Sequence, residues 1–202
     1  MLKVGLTGSI AVGKTFVCDV ARELGCHVLD ADRLARNAVA KGSDGLAEII
    51  EHFGKDVLLS NGELDRKKMA AIVFADEEKR VLLNSIVHPR VIEAQDEWLS
   101  KLEKKDADAI AIVDAALMIE SGGYKRFDKI IVVWCAADIQ LSRLMGRDNL
   151  SPDDAIERIG AQLSQEEKKK FADYLIDTSD GFEDTRKQTT AVVAKLRELA
   201  TE

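Results

Sequence analysis

The chain has 202 residues, 46% of them hydrophobic and 32% charged, with a net charge of −7. That length buries a substantial core in about one or two domains, and the balance is ordinary for a soluble globular enzyme. The acidic surplus disfavours a nucleic-acid surface, since phosphate backbones demand a basic face, and the apolar runs, such as 130–137, fall far short of the roughly 18 residues a membrane span needs. Cys18, Cys26 and Cys135 form no C-x-x-C pair and leave an odd count, which argues for buried, reduced thiols over a zinc site or a disulfide framework. Met1 leads directly into an apolar run, so a cytoplasmic protein without a cleaved signal peptide is expected.

The first run, Val4 to Leu6, reads as a buried parallel strand. It is followed at once by Gly8-Ser9-Ile10-Ala11-Val12-Gly13-Lys14-Thr15, which spells the phosphate-cradling loop G-x-x-x-x-G-K-[ST]. In that motif backbone N–H groups surround the β-phosphate, the lysine reaches the β- and γ-phosphates, and the Ser/Thr hydroxyl ligates Mg²⁺. Phe16, Val17, Val20, Ala21 and Leu24 then keep helical spacing until Gly25, and the helix N-terminus adds its positive dipole to the anion site. A nucleoside triphosphate is therefore the expected ligand.

The next strand, 27–29, ends in Asp30-Ala31-Asp32. Two carboxylates there can take a proton from an acceptor hydroxyl or orient a metal's water shell; the alternative is that both cap a helix over 33–40. From Asp30 to Asp108 the periodicity is helical, as in Leu46, Ile49, Ile50 and Phe53 and again in Val81, Leu82, Ile86, Val91 and Ile92, which reads as an inserted helical subdomain. Asn61-Gly62 marks a turn inside it and Asp65 a helix N-cap. Strands are expected at 109–113 and 129–134, with Asp114 in the place of a magnesium-binding acid or of a helix cap. Arg143 and Arg147 share a helix face, either to meet the transferring phosphoryl or as a surface pair bonded to Asp148 or Asp138. Ser151-Pro152-Asp153-Asp154 starts a second helical excursion, 147–171, suited to a mobile lid, within which Lys168 to Lys170 reads as a solvated face. A strand at 174–176 and a helix over 182–200, apolar at Val192, Val193, Leu196 and Leu199, close the chain. The alternation predicts an α/β fold, a doubly wound parallel sheet of about five strands of P-loop NTPase type, with ligands at the strand C-terminal ends.

The phosphate loop followed by Val28-Leu29-Asp30-Ala31-Asp32 and Ala35-Arg36 resembles dephospho-coenzyme A kinase. Gly62 to Arg66, Val73-Phe74, His88-Pro89, Leu117 to Gly122, Arg143 to Asp148, Arg158 to Gln162 and Ala172-Asp173 are similar to further motifs of that family, in the same order along nearly the whole chain. The resemblance implies transfer of the ATP γ-phosphoryl to the ribose 3′-hydroxyl of dephospho-coenzyme A, with Mg²⁺, by a monomer or small homo-oligomer without nucleic-acid or membrane partners. It implies Asp32 as general base beside Lys14 and Arg147, and ATP contacts at Gly8 to Phe16 (Gly8, Ser9, Ile10, Ala11, Val12, Gly13, Lys14, Thr15, Phe16), Arg143 and Arg147. Acceptor contacts would come from Asp32, Arg66, His88, Arg90, Leu117, Glu120, Arg158 and Gln162, and metal contacts from Thr15 and Asp114. The implied organisation is a core at 1–29, 108–146 and 172–202, an acceptor subdomain at 30–107 and a lid at 147–171.

The chain departs from the family in three places. Ser9 and Ala11 replace loop glycines and Val12 a small polar residue, so a left-handed Ala11 would be costly. Ala115 to Glu120 lacks the family's proline and phenylalanine. The asparagine expected after Ala172-Asp173 is missing, with Thr178-Ser179 near its place to offer hydroxyls to adenine. Competing readings are a nucleoside or nucleotide kinase with another acceptor and a nucleotide-dependent switch; the chain carries no N-K-x-D guanine-reading segment to support the latter.

Overall fold

A computed structural model describes residues 1–201 and divides them into two compact units, Met1–Asp30 with the chain from Lys101 onward, and Ala31–Ser100. The first unit holds all five strands: β1 (Leu2–Thr7), β2 (His27–Asp30), β3 (Ile110–Asp114), β4 (Lys129–Trp134) and β5 (Tyr174–Asp177). β3 and β4 read Ile-Ala-Ile-Val and Ile-Ile-Val-Val, and residues in both runs are buried because helices cover the two faces of a parallel sheet. The order is β2-β3-β1-β4-β5 with every pairing parallel. Successive strands depart to either side of β1, so the chain leaving its C-terminal end lies at the switch point where such sheets bind ligands. Register places Leu6 beside Asp114 and Ile131, and Asp30 beside Asp114.

α1 (Lys14–Glu23) and α9 (Gly181–Ala200) cover the sheet, α9 burying Thr185, Thr189, Val192, Val193 and Leu196 at helical spacing. Val4, Leu6, Val17, Ile112, Ile131, Val133, Ile176 and Leu196 make the central core. Between β4 and β5 lie α6 (Ala137–Asp148), α7 (Pro152–Gly160) and α8 (Gln165–Lys169). Ser151 caps α7 by accepting from the Asp154 N–H at 3.2 Å, with Pro152 at the first helical position, where its missing N–H is no loss.

The second unit contains α2 (Ala31–Ala38), α3 (Asp44–Phe53), α4 (Arg66–Ala75) and most of α5 (Glu77–Lys105) around its own core of Val39, Leu46, Ile49, Val57, Met69 and Ile86. At Asn61-Gly62 the chain turns tightly, Gly62 N–H donating to the Leu59 carbonyl at 2.9 Å, and Asp65 caps α4 by accepting from Lys68 N–H at 3.0 Å. α2 begins at Ala31, two residues earlier than the periodicity suggests, so Asp32 sits inside its first turn, where the helix dipole favours a carboxylate.

The solvated-face reading of the lysine run is wrong for Lys168. Its side chain has 0% exposure and its ammonium is paired with Glu120 at 2.7 Å. Lys169 lies over the Trp134 ring, 3.4 Å from its centroid, and Lys170 alone of the three is well exposed. α8 is a short helix packed on β4, so the side of it that carries Lys168 faces inward regardless of charge while Glu166 and Glu167 stay exposed.

Among the described residues no helix is long and apolar enough to cross a membrane. All three cysteines are free and buried, and burial raises the Cys26 thiol to about 11 and pushes Cys18 and Cys135 up as well.

Two measurements check this packing. Ile112→Ala opens a cavity in the central strand layer and is expected to cost about 2–5 kcal/mol, read as a lower urea midpoint at unchanged slope. At pH 8 the native thiols are expected to react slowly with a chromogenic disulfide and all three rapidly after unfolding; fast native reaction would contradict their burial.

Candidate active site

The segment from Gly8 to Thr15 joins the buried end of β1 to α1. Gly8 is required by close approach: a Cβ there would stand 2.4 Å from the Val133 carbonyl oxygen. Gly13, immediately before α1, has φ +88°, a conformation open to glycine at little cost. Ala11 adopts φ +61° as well, so a residue with a Cβ occupies the left-handed region, at about 1–2 kcal/mol.

These turns open a cavity of about 350 Å³ lined by Ser9, Ala11, Val12, Gly13, Lys14, Thr15, Arg143 and Arg147. The start of α1, which has no acidic residue in its first turn, presents its unpaired N–H groups and positive dipole end there. Lys14 Nζ is parked on the Gly8 carbonyl at 3.3 Å. Three cations therefore border a cavity in an acidic protein, the arrangement a polyphosphate needs. Phe16 lies one residue beyond the lining and packs on Phe182 at 4.8 Å between ring centroids.

The loop is tied from beneath by Thr178. Its hydroxyl donates to the Val12 carbonyl at 2.8 Å and accepts from Arg143 Nη1 at 2.8 Å, while Arg143 Nη2 donates to the Thr178 carbonyl at 2.8 Å. Ser179 Oγ donates to Asp177 at 2.6 Å and accepts from Ala136 N–H at 2.9 Å. Both hydroxyls expected near adenine are thus engaged as anchors of the loop and the sheet end. Arg143 is held in place by two hydrogen bonds, and its fork is oriented before any ligand arrives.

Arg147 pairs with Asp148 through Nε and Nη2 at 2.8 and 3.0 Å, and Arg158 reaches the same carboxylate at 3.0 Å. The Arg147 hydrogen bonds, with help from Arg158, hold Asp148 below the usual carboxylate range. The surface-pair alternative to Asp148 is the one seen, although Arg147 still borders the cavity. Asp114, at the end of β3, accepts the Cys18 thiol at 3.6 Å; burial first, then the Asp114 charge, keeps that thiol protonated.

A third set of residues reaches the loop from the α7–α8 segment. Gln162 Oε1 accepts the Ile10 N–H at 2.8 Å and Ser9 Oγ donates to the Leu163 carbonyl at 3.3 Å. Glu120 accepts the Leu163 N–H at 3.1 Å and pairs with Lys168, whose ammonium also donates to the Ala116 carbonyl at 2.8 Å. Burial lowers the Lys168 ammonium's pKa, and the Glu120 hydrogen bond opposes that shift. Gln162 and Glu120, expected at the acceptor, are so committed to the loop and its support, while Leu117 stands half-exposed.

Lys168, Gln140 and Gln165 are residues that sequence reasoning missed. Gln140 carries a readable signal, since it stands one turn before Leu144 on the buried face of α6. Lys168 carries none, because burial of a lysine is decided by what lies opposite it.

In the second unit Asp32 is exposed at the start of α2. Arg66 donates to the Arg36 carbonyl at 3.2 Å, and Arg90 bonds the Ile86 carbonyl at 2.6 Å and Glu48 at 2.7 Å. His88 is exposed on α5, which continues through Pro89.

Comparison with known proteins gives one consistent result. Residues 2–184 match the dephospho-CoA kinase family. A dephospho-CoA kinase of Listeria innocua is 42% identical over 194 residues, covering 95% of this chain and 96% of that protein. Among solved structures, TT1252 from Thermus thermophilus superposes with a TM-score of 0.84 at 30% identity, covering 96% of this chain and 97% of the other. The dephospho-CoA kinase from Campylobacter jejuni does so at 0.71 and 30% identity, covering 97% of each.

Lys168→Met would leave Glu120 facing an apolar group. Because Glu120 keeps 24% exposure, the expected loss is near the lower end of the ~3–5 kcal/mol of a broken buried pair, with partial recovery in Lys168→Met/Glu120→Gln. An unchanged thermal midpoint in the single variant would show that the pair does not support the fold.

Proposed function

The chain belongs to the dephospho-CoA kinase family, ATP-dependent phosphotransferases that phosphorylate dephospho-CoA in coenzyme A biosynthesis, and we propose which of its own residues carry that transfer. The observation behind the assignment is the cation-bordered cavity formed by the phosphate loop, Arg143 and Arg147 at the C-terminal end of the central strand. ATP places its β- and γ-phosphates against the inward N–H groups of the loop and Lys14, which leaves the Gly8 carbonyl for them. Arg143, already fixed by Thr178, contributes charge without reorganisation. Arg147 turns from Asp148 to the transferring phosphoryl as the 147–171 lid closes, and Asp148 keeps Arg158 as its partner when it does.

The acceptor's ribose 3′-hydroxyl attacks the γ-phosphorus; the new O–P bond forms as the bond to the β-phosphate oxygen breaks, and ADP leaves. Asp32, two residues beyond the end of β2, receives the hydroxyl proton. A loose transition state asks little of a base early on, so Asp32 supplies about 10²–10⁴-fold and positioning with electrostatics the rest. The Thr15 hydroxyl and the Asp114 carboxylate are hard oxygen donors and fit Mg²⁺, which when bound neutralises phosphate charge. The helical unit supplies the acceptor contacts, with Arg66 and His88 for phosphate and ribose and Arg90 held ready by Glu48. The reaction belongs in the cytoplasm, where ATP is supplied.

Asp32→Asn is expected to bind ATP as the parent does while kcat with dephospho-CoA falls about 10²–10⁴-fold. Undiminished kcat would remove Asp32 as the base. Absence of turnover by the parent protein with dephospho-CoA, alongside turnover of a nucleoside, would overturn the acceptor assignment.

A further inference from the structure

Between Ser9 and Thr15 a single residue of the phosphate loop does not border the cavity. Ser9, Ala11, Val12 and Gly13 line it and Ile10 does not. Both polar groups of Ile10 are instead taken by glutamine side chains: its N–H donates to Gln162 Oε1 at 2.8 Å, and its carbonyl accepts from Gln140 Nε2 at 2.8 Å. Gln165 joins the set, its Nε2 donating to Gln140 Oε1 at 2.8 Å and its Oε1 accepting the Cys135 N–H at 3.0 Å.

Each amide in this chain is oriented by its neighbour. The Cys135 N–H demands the oxygen of Gln165, so its nitrogen faces Gln140, whose oxygen is then occupied and whose nitrogen must face Ile10. Gln140 is 2% exposed, so water offers its amide no easy substitute partner. The sequence is polar but the geometry is rigid, and it ends on the residue before Ala11.

Ala11 is where rigidity is needed. At φ +61° it carries a Cβ in a conformation that its side chain resists, and relaxation to negative φ would re-aim the following N–H groups away from the cavity. We propose that Gln140, Gln162 and Gln165 are positioning residues that clamp Ile10 and so hold Ala11, and with it the phosphate loop, in the nucleotide-competent form. They do this without touching the nucleotide. The inference rests on the nucleotide-binding reading of the cavity and adds to it the device that keeps the cavity shaped.

If the clamp sets the competent fraction of loops, losing it weakens nucleotide affinity by that fraction and spares the chemical step. The test uses the full chain with Gln162→Met and Gln140→Met, each alone and combined with Ala11→Gly, reading ADP affinity by calorimetry and KM for ATP against kcat with dephospho-CoA. Each single glutamine variant is expected to raise the ADP dissociation constant and the ATP KM by about 5–20-fold, with kcat within about threefold of the parent. Ala11→Gly in the Gln162→Met background is expected to restore most of the affinity, because glycine meets φ +61° at little cost. Gln162 is only half-buried, so its variant carries the test if Gln140→Met does not fold. A fall in thermal midpoint with KM unchanged would reduce the glutamines to structural residues and overturn the proposal. Equal loss of affinity with and without the Ala11→Gly substitution would overturn the link to Ala11. A parent protein that binds no ADP would instead overturn the reading of the cavity itself.

Discussion

A loop built on left-handed residues and a close backbone passage cannot hold its shape by itself, and that constraint organises the sheet-bearing unit. The turn at Gly8 to Thr15 needs left-handed residues at Ala11 and Gly13, and a close passage of Gly8 past the Val133 carbonyl. None of these is stable in isolation. The parallel sheet places the loop at the C-terminal end of its central strand, Thr178 ties it at Val12, and Gln140 and Gln162 tie it at Ile10. The proposed anion site is thus a strained loop held by partners distant in sequence.

The charges follow from the same arrangement. With a net charge of −7 the protein's overall field does not draw in a polyphosphate, and in the proposed reading local cations at fixed places supply the attraction. Arg143 is oriented by Thr178, Arg147 shares Asp148 with Arg158, and Lys14 rests on a loop carbonyl. Lys168 is different in kind: fully buried and paired with Glu120, it is a strut between the strand-end segment at Ala116 and α8. Asp148 serves two arginines at once, which lets one depart without stranding a carboxylate.

The elements were legible where a local rule governs them. Five apolar runs became five parallel strands, and Asp65 and Ser151 cap helices by accepting N–H groups three residues on. Gly62 turns the chain at the expected place. The lysine run was misread because periodicity reports which residues share a face and not what that face meets; α8 meets β4. The start of α2 shifted to Ala31 because a strand can pass straight into a helix when no glycine or proline intervenes.

By itself the sequence determined the phosphate loop, the alternation of strands and helices, the acid pair after β2 and the membership of the chain in its family, since each depends on residue identity over short spans. Only the tertiary structure decided that Ala11 is left-handed, that Thr178 and Ser179 anchor the loop and sheet end, that Lys168 is buried against Glu120, and that three glutamines converge on Ile10. A hydrogen bond between residues 10 and 162 depends on where two elements are brought together, and no local pattern in a chain encodes the partner of an amide. The loop's letters name the ligand; its shape is set by side chains more than a hundred residues away.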